Sequence, residues 1–164
     1  MKWVTIVVCL LALPVAAQEL QFSPSNTEAC LAEATSLAER EACIGASASL
    51  CMELTEGGYS TVGMSACSNM ELMWWDDRLN AVYRALRSQK RREDSESAGF
   101  SDTPSQVQAL LEMQRAWITF RDTTCWFERS LWGGGTGGGP AAVSCLMMQT
   151  GRQSLYLEEF LSGG

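Results

Sequence analysis

Cysteine placement constrains this chain more than any other feature. There are seven cysteines and no histidine. The first, Cys9, lies inside the apolar run Val4 to Leu13, after the positive Lys2 and before Pro14 and the small residues Val15-Ala16-Ala17. That order of positive, apolar and small-residue regions predicts a secretory signal peptide over residues 1–17. Cys9 follows Val8, whereas a lipid-anchored cysteine needs a small residue before it, so a soluble product is expected. Removing the leader leaves Cys30, Cys43, Cys51, Cys67, Cys125 and Cys145. An even set in an exported chain predicts disulfides and an oxidising location, periplasmic or secreted. Zinc is the competing use of cysteine, but there is no C-x-x-C pair and no histidine, so neither a metal nor another cofactor is expected.

Between the last two cysteines lies the stretch Ser130–Cys145, in which six glycines flank Thr136. A phosphate-binding loop would carry a lysine and a hydroxyl residue after its last glycine. Here Pro140, Ala141 and Ala142 follow. A dinucleotide fingerprint would follow a strand, and the residues before this run have helical periodicity. The run therefore predicts a turn between antiparallel helices, with Cys125 and Cys145 brought together across it. Closing a loop of about 20 residues is worth about 3 kcal/mol in the chain-entropy model. A loop that inserts into a partner is the second reading of the same residues.

The remaining pattern is helical throughout. The segment from Ser25 to about Cys51 is rich in Ala, Glu and Leu, with Asn26 or Thr27 as a cap and Gly45 dividing it into two short helices. Residues 53–63 read as a loop around Gly57-Gly58 and Gly63. A long helix is expected from about Met64 to Arg92 on the stripe Leu72, Trp75, Leu79, Val82 or Tyr83, and Leu86. After a polar linker over 94–102, Thr103, Pro104 and Gln106 form a predicted capping box for a helix running to about Trp132. Its stripe is Val107, Leu110, Leu111, Gln114, Trp117, Ile118, Arg121, Thr124, Cys125 and Leu131. A fourth helix is expected from Pro140 to about Leu161, facing inward with Leu146, Thr150, Gln153, Leu157 and Leu161. With no period-2 strand, the expected fold is all-α: a small disulfide-stapled bundle of about four helices. Residues 18–63 form an N-terminal cysteine-rich helical segment and 64–164 the helical domain.

Several polar residues fall on these apolar stripes. Glu71, Asp76 and Asn80 on one helix, with Gln114 and Arg121 on the next, suggest a structural network in which Arg121 pairs with Asp76 or Glu71. An enzymatic reading would make Glu71 and Asp76 an acid–base pair, as in glycoside hydrolysis. Without histidine, a free thiol or a serine accompanied by a base, the structural reading is preferred and no catalytic residue is assigned. Trp74 and Trp75 cannot both face inward on one helix. Trp74 is expected beneath the N-terminal segment, with a contact role shared with Trp126 and Trp132 as the alternative.

Formal net charge is −7, and the leader's single charge is Lys2, so the processed chain is one unit more acidic. That disfavours nucleic acid, whose phosphates need a basic footprint. It suits a cationic partner, or simply solubility.

The segments WDDRLNAVYRAL (Trp75 to Leu86), LLEMQRAWITFRDTTC (Leu110 to Cys125), the glycine-rich turn and CLMMQTGRQSLYL (Cys145 to Leu157) resemble the bacterial exported family named for the lysozyme inhibitor LprI. The resemblance spans about residues 67–158. It rests on Asp76, Leu79, Asn80 and Tyr83, then Gln114, Trp117, Arg121, Asp122 and Cys125, then Cys145, Thr150, Arg152 and Leu155. It implies a small helical domain of the cell envelope with Cys125–Cys145 bonded. It also implies that an upstream cysteine pairs with Cys67; Cys51 is preferred, which leaves Cys30 with Cys43. The segment from Cys30 to Thr61 is longer and richer in cysteine than the family pattern.

The resemblance suggests a protein that binds and inhibits a cationic lysozyme-type muramidase. Trp132, Gly134, Gly135 and Thr136 would enter the cleft, with Glu128 at its rim. The alternative is a non-catalytic structural or adaptor domain of the envelope that binds another protein or a wall fragment; in either reading the partner suited by charge is a cationic envelope protein. Neither reading involves nucleic acid or membrane insertion after leader cleavage.

Overall fold

The computed structural model describes residues 19–97 and 104–162; the predicted leader and Thr103 lie outside them. The described residues form six helices and no strand: α1 (Ser25–Glu33), α2 (Leu37–Ala42), α3 (Ala46–Leu54), α4 (Thr61–Glu96), α5 (Gln106–Ser130) and α6 (Gly138–Ser162). The three long helices, α4 to α6, form the bundle. Where two short N-terminal helices are expected, three form. Gly45, at φ +97, supplies the left-handed corner before α3.

Helix α4 starts three residues before the expected Met64, because Ser60 Oγ accepts Gly63 N at 3.0 Å. It also runs through 94–96, so part of the expected linker is helical. Its buried stripe is Cys67, Glu71, Trp75, Leu79 and Leu86, and Leu72, Val82 and Tyr83 pack at the margin. At the start of α5, Ser105 is the N-cap, with its hydroxyl accepting Gln108 N at 3.2 Å. Gln106 is thus the first residue of α5, not its third, and Thr103, the other half of the expected box, lies outside the described residues. Asp94 at the end of α4 takes over the acidic role, accepting Gln106 N, Val107 N and Ser105 Oγ at 2.8–3.1 Å. A box does form on α2, where Ser36 Oγ accepts Glu39 N and Glu39 Oε2 accepts Ser36 N. Helix α1 is capped by neither Asn26 nor Thr27; its N-cap is Pro24, and Thr27 is buried.

Helix α6 is buried on two sides. Met147 and Leu155 join Ile44, Ala48 and Trp75 in one core, while Leu157 joins Leu79, Leu86 and Leu110 in a second. The first core lies under α1–α3, so the N-terminal segment packs on the bundle. Trp74 is partly buried there, edge-on to Trp75 with ring centroids 4.7 Å apart. On α5 the expected stripe is too wide. Ile118 and Leu131 are exposed, since the described residues cover α5 only along the side facing α4 and α6.

Three disulfides staple successive helices: Cys30–Cys43 joins α1 to the end of α2, Cys51–Cys67 joins α3 to α4, and Cys125–Cys145 joins α5 to α6. Glu158 adds an ionic clasp, binding Arg40 from α2 and Arg78 from α4. Among the described residues no helix is long and apolar enough to cross a membrane.

Candidate functional site

The corner between α5 and α6 is a chain of tight turns. Trp132 N donates to Arg129 O, Gly133 N to Ser130 O, Gly135 N to Trp132 O and Gly138 N to Gly135 O, at 2.8–3.3 Å. Gly133 and Gly134 have φ of +52 and +88, a region open to glycine without strain. Just behind the corner, Cys125 and Cys145 hold the two helices with Cα atoms 5.4 Å apart.

Gly137 has a different role. A Cβ built on it would lie 2.2 Å from Cζ3 and 2.3 Å from Cε3 of the Trp132 ring. The indole therefore rests directly on the Gly137 backbone. Its remaining surface is open, and Trp132 is 54% exposed.

The expected site residues Trp132, Gly134, Gly135 and Thr136 are all exposed on this corner. Glu128 sits one helical turn before Trp132. It lines a cleft of about 270 Å³ with Ser144, Gln149 and Arg152, over the Cys125–Cys145 bridge. The last turns of α5 add further exposed apolar groups: Trp126 at 70%, Phe127, Leu131 and, two turns earlier, Phe120. The Arg129 guanidinium lies 5.8 Å from the Trp126 ring centroid. Periodicity leaves Phe120, Trp126 and Phe127 off the inward stripe of this helix, and of this group only Leu131, expected inside, is exposed against it.

The network expected around Arg121 is replaced by four separate arrangements. Glu71 is fully buried and points toward α1 and α3. It accepts Thr27 Oγ1, Gly45 N, Ala48 N and Trp75 Nε1 at 2.6–3.1 Å. Asp76 and Asn80 are exposed and bond each other at 2.9 Å. Gln114 accepts Gln153 Nε2 from α6 at 3.0 Å. Arg121 pairs with its neighbour Asp122, stacks over Trp117 and reaches Thr150 Oγ1 at 3.5 Å.

The reason lies in α4's geometry. Residues 71, 75 and 79 form the centre of its buried stripe, and residues one position further round lie about 100° away, at its edge. Asp76 and Arg121 do line one cleft of about 310 Å³, with Leu72, Met73, Asp77 and Leu146. With its carboxylate enclosed by four donors, Glu71 has no route to a substrate. The Glu71–Asp76 acid–base reading therefore loses one of its two groups. Among the described residues no group of three or more His, Cys, Asp or Glu side chains is placed to hold a metal.

A protein of Rhodobacter capsulatus, described as an uncharacterized 17.7 kDa protein in the puhA 5'region, is 26% identical over 141 residues, covering 85% of this chain and 86% of its own. No solved structure matches. Residues 51–157 match the family described as lysozyme inhibitor LprI, from Cys51 in α3 to Leu157 in α6. The chain belongs to the LprI lysozyme-inhibitor family.

Proposed function

We propose that this protein is a periplasmic or secreted binding protein that inhibits a cationic lysozyme-type muramidase. The α5–α6 corner is the part that enters the enzyme's cleft. The observation that carries this reading is the exposed, internally bonded turn that presents Trp132 beyond a disulfide-locked pair of helices. A rigid aromatic group costs little ordering entropy on binding, and buried aromatic anchors dominate most interfaces. Net charge of −7 supplies long-range attraction to a basic enzyme. Membership of the family supports the class of partner, and the three disulfides favour an oxidising compartment.

The test is lysis of cell walls by a basic lysozyme-type muramidase with the chain in excess, at low and high salt. Inhibition should be strong at low ionic strength and weaken as salt screens the attraction. Undiminished lysis at low salt would remove the reading for that enzyme.

The exposed Phe120, Trp126, Phe127 and Leu131 favour a second reading, an envelope adaptor that uses this apolar face to hold another protein. A pull-down from envelope extract that returns one non-muramidase partner, lost in Trp126→Ala, would favour it.

A further inference from the structure

Glycine runs are usually read as slack, and the residues of this corner contradict that for one of them. The ring of Trp132 occupies the space that any side chain at 137 would need, with three ring atoms 2.2–2.8 Å from the position of a Cβ. The two neighbouring glycines differ from it. A Cβ on Gly138 would meet Arg129 O at 3.2 Å, and one on Gly139 would meet nothing closer than Ser65 Oγ at 3.7 Å. Gly133 and Gly134 meet nothing within 4 Å and are required only for their backbone angles. Gly137 is thus the corner glycine whose side-chain space is taken by the indole.

We infer that Gly137 is a positioning residue: it seats the Trp132 indole in the orientation in which the corner presents it to the muramidase. This assignment rests on the function proposed above. With one face against the backbone at 137, the ring is restricted in both of its side-chain torsions before any partner arrives. Binding then pays less rotamer entropy for that ring. A side chain at 137 would force the indole to another rotamer while leaving Trp132 present and the disulfide intact. Composition of the corner would be almost unchanged, and only the direction of the ring would differ.

The experiment is a double-mutant cycle on muramidase inhibition using the full processed chain, with Gly137→Ala, Trp132→Ala and the pair, and with Gly139→Ala as a control. Gly137→Ala should raise the inhibition constant about tenfold or more, and Gly139→Ala should leave it within twofold. In the Trp132→Ala background, Gly137→Ala should have no further effect. Proton NMR of the free protein supplies an independent reading of the ring's place. The Gly137 α-protons should carry an upfield ring-current shift that disappears in Trp132→Ala.

Equal inhibition by wild type and Gly137→Ala, or a Gly137→Ala penalty that persists without Trp132, overturns the assignment while leaving the proposed function standing. A wild-type chain that leaves the muramidase untouched overturns the proposed function, and this assignment with it. Absence of the ring-current shift overturns the seating of the indole whatever the inhibition assay shows.

Discussion

Trp75 Nε1 donates to Glu71 Oε1 at 3.1 Å, across one turn of α4 and within the core. The same carboxylate accepts Gly45 N and Ala48 N at the start of α3, a helix with no side-chain cap of its own. Glu71 therefore does for α3 what an N-cap residue does, from a different helix. Its fourth donor, Thr27 Oγ1, also accepts Ser47 N, tying α1 into the same cluster.

Glu71→Ala would leave these donors without their acceptor in a buried site. Each orphaned buried group costs about 1–3 kcal/mol, so a loss of about 3 kcal/mol or more is expected. Urea denaturation measures it. Near-UV circular dichroism should show the change at Trp75. A loss under about 1 kcal/mol would mean that the donors find water or new partners.

A second prediction concerns acid. Asp94 is held below the usual aspartate range, chiefly by the backbone N–H groups of Val107 and Gln106, with help from the Ser105 hydroxyl. A carboxyl whose folded pKa is depressed adds stability above its unfolded value, near 3.8, and loses it as pH falls through the folded value. Glu93, beside Lys90 and Gln89, and Glu39, bonded by Thr35 and Ser36, are lowered in the same direction. Urea midpoints measured from pH 6 to pH 2 should therefore fall below about pH 4. Asp94→Asn should be less stable at neutral pH and show a shallower decline, with Glu93 and Glu39 supplying the remainder. Parallel curves for the two proteins would mean that Asp94 does not cap α5.

What the sequence revealed and what it hid divide along physical lines. Helices α4, α5 and α6 were legible because a 3.6-residue apolar period is a property of side chains. Two of the four donors to Glu71 were hidden because they are backbone groups, supplied by the start of a helix that composition near Gly45 did not resolve. Placing Arg121 against Asp76 or Glu71 failed because charge complementarity says which residues can pair but not which side of a helix is covered. The site shows the same division. Exposure of Trp132, Gly134, Gly135 and Thr136 followed from their lying in a turn. The seating of the indole on Gly137 could not be read from a run of glycines, where every position looks alike.

The Cys125–Cys145 bridge gives a third prediction. With both changed to serine, the corner loses the constraint on a loop with a sequence separation of 20. Stability should fall by about 3 kcal/mol in the chain-entropy model. The core contacts of Trp117 and Leu157 remain, so helicity by far-UV circular dichroism should persist at low temperature. Non-reducing peptide maps of the wild type should show three linked pairs and no others among these six cysteines.

Packing of the N-terminal segment on α6 can be tested at Gly151. A Cβ there would lie 2.8 Å from Ile44 Cδ1 and 3.0 Å from both of its Cγ atoms. Ile44 belongs to the core under α1–α3, so the absence of a side chain at 151 lets that segment close against the bundle. Two effects oppose each other in Gly151→Ala. Replacing a helical glycine with alanine favours the helix by about 1 kcal/mol, while overpacking a core costs about 1–3 kcal/mol. Overpacking should win, because all three clashing atoms sit on a β-branched side chain with few free rotamers. A net loss of about 1 kcal/mol is expected for the single variant, from the difference of those two terms. In an Ile44→Ala background the clash is gone and only the helix preference remains, so Gly151→Ala should then stabilise by up to about 1 kcal/mol. That reversal of sign, read from urea midpoints of the four proteins, requires contact between residues 44 and 151. Effects of the same sign and size in both backgrounds would place Ile44 away from α6 and undo the shared core.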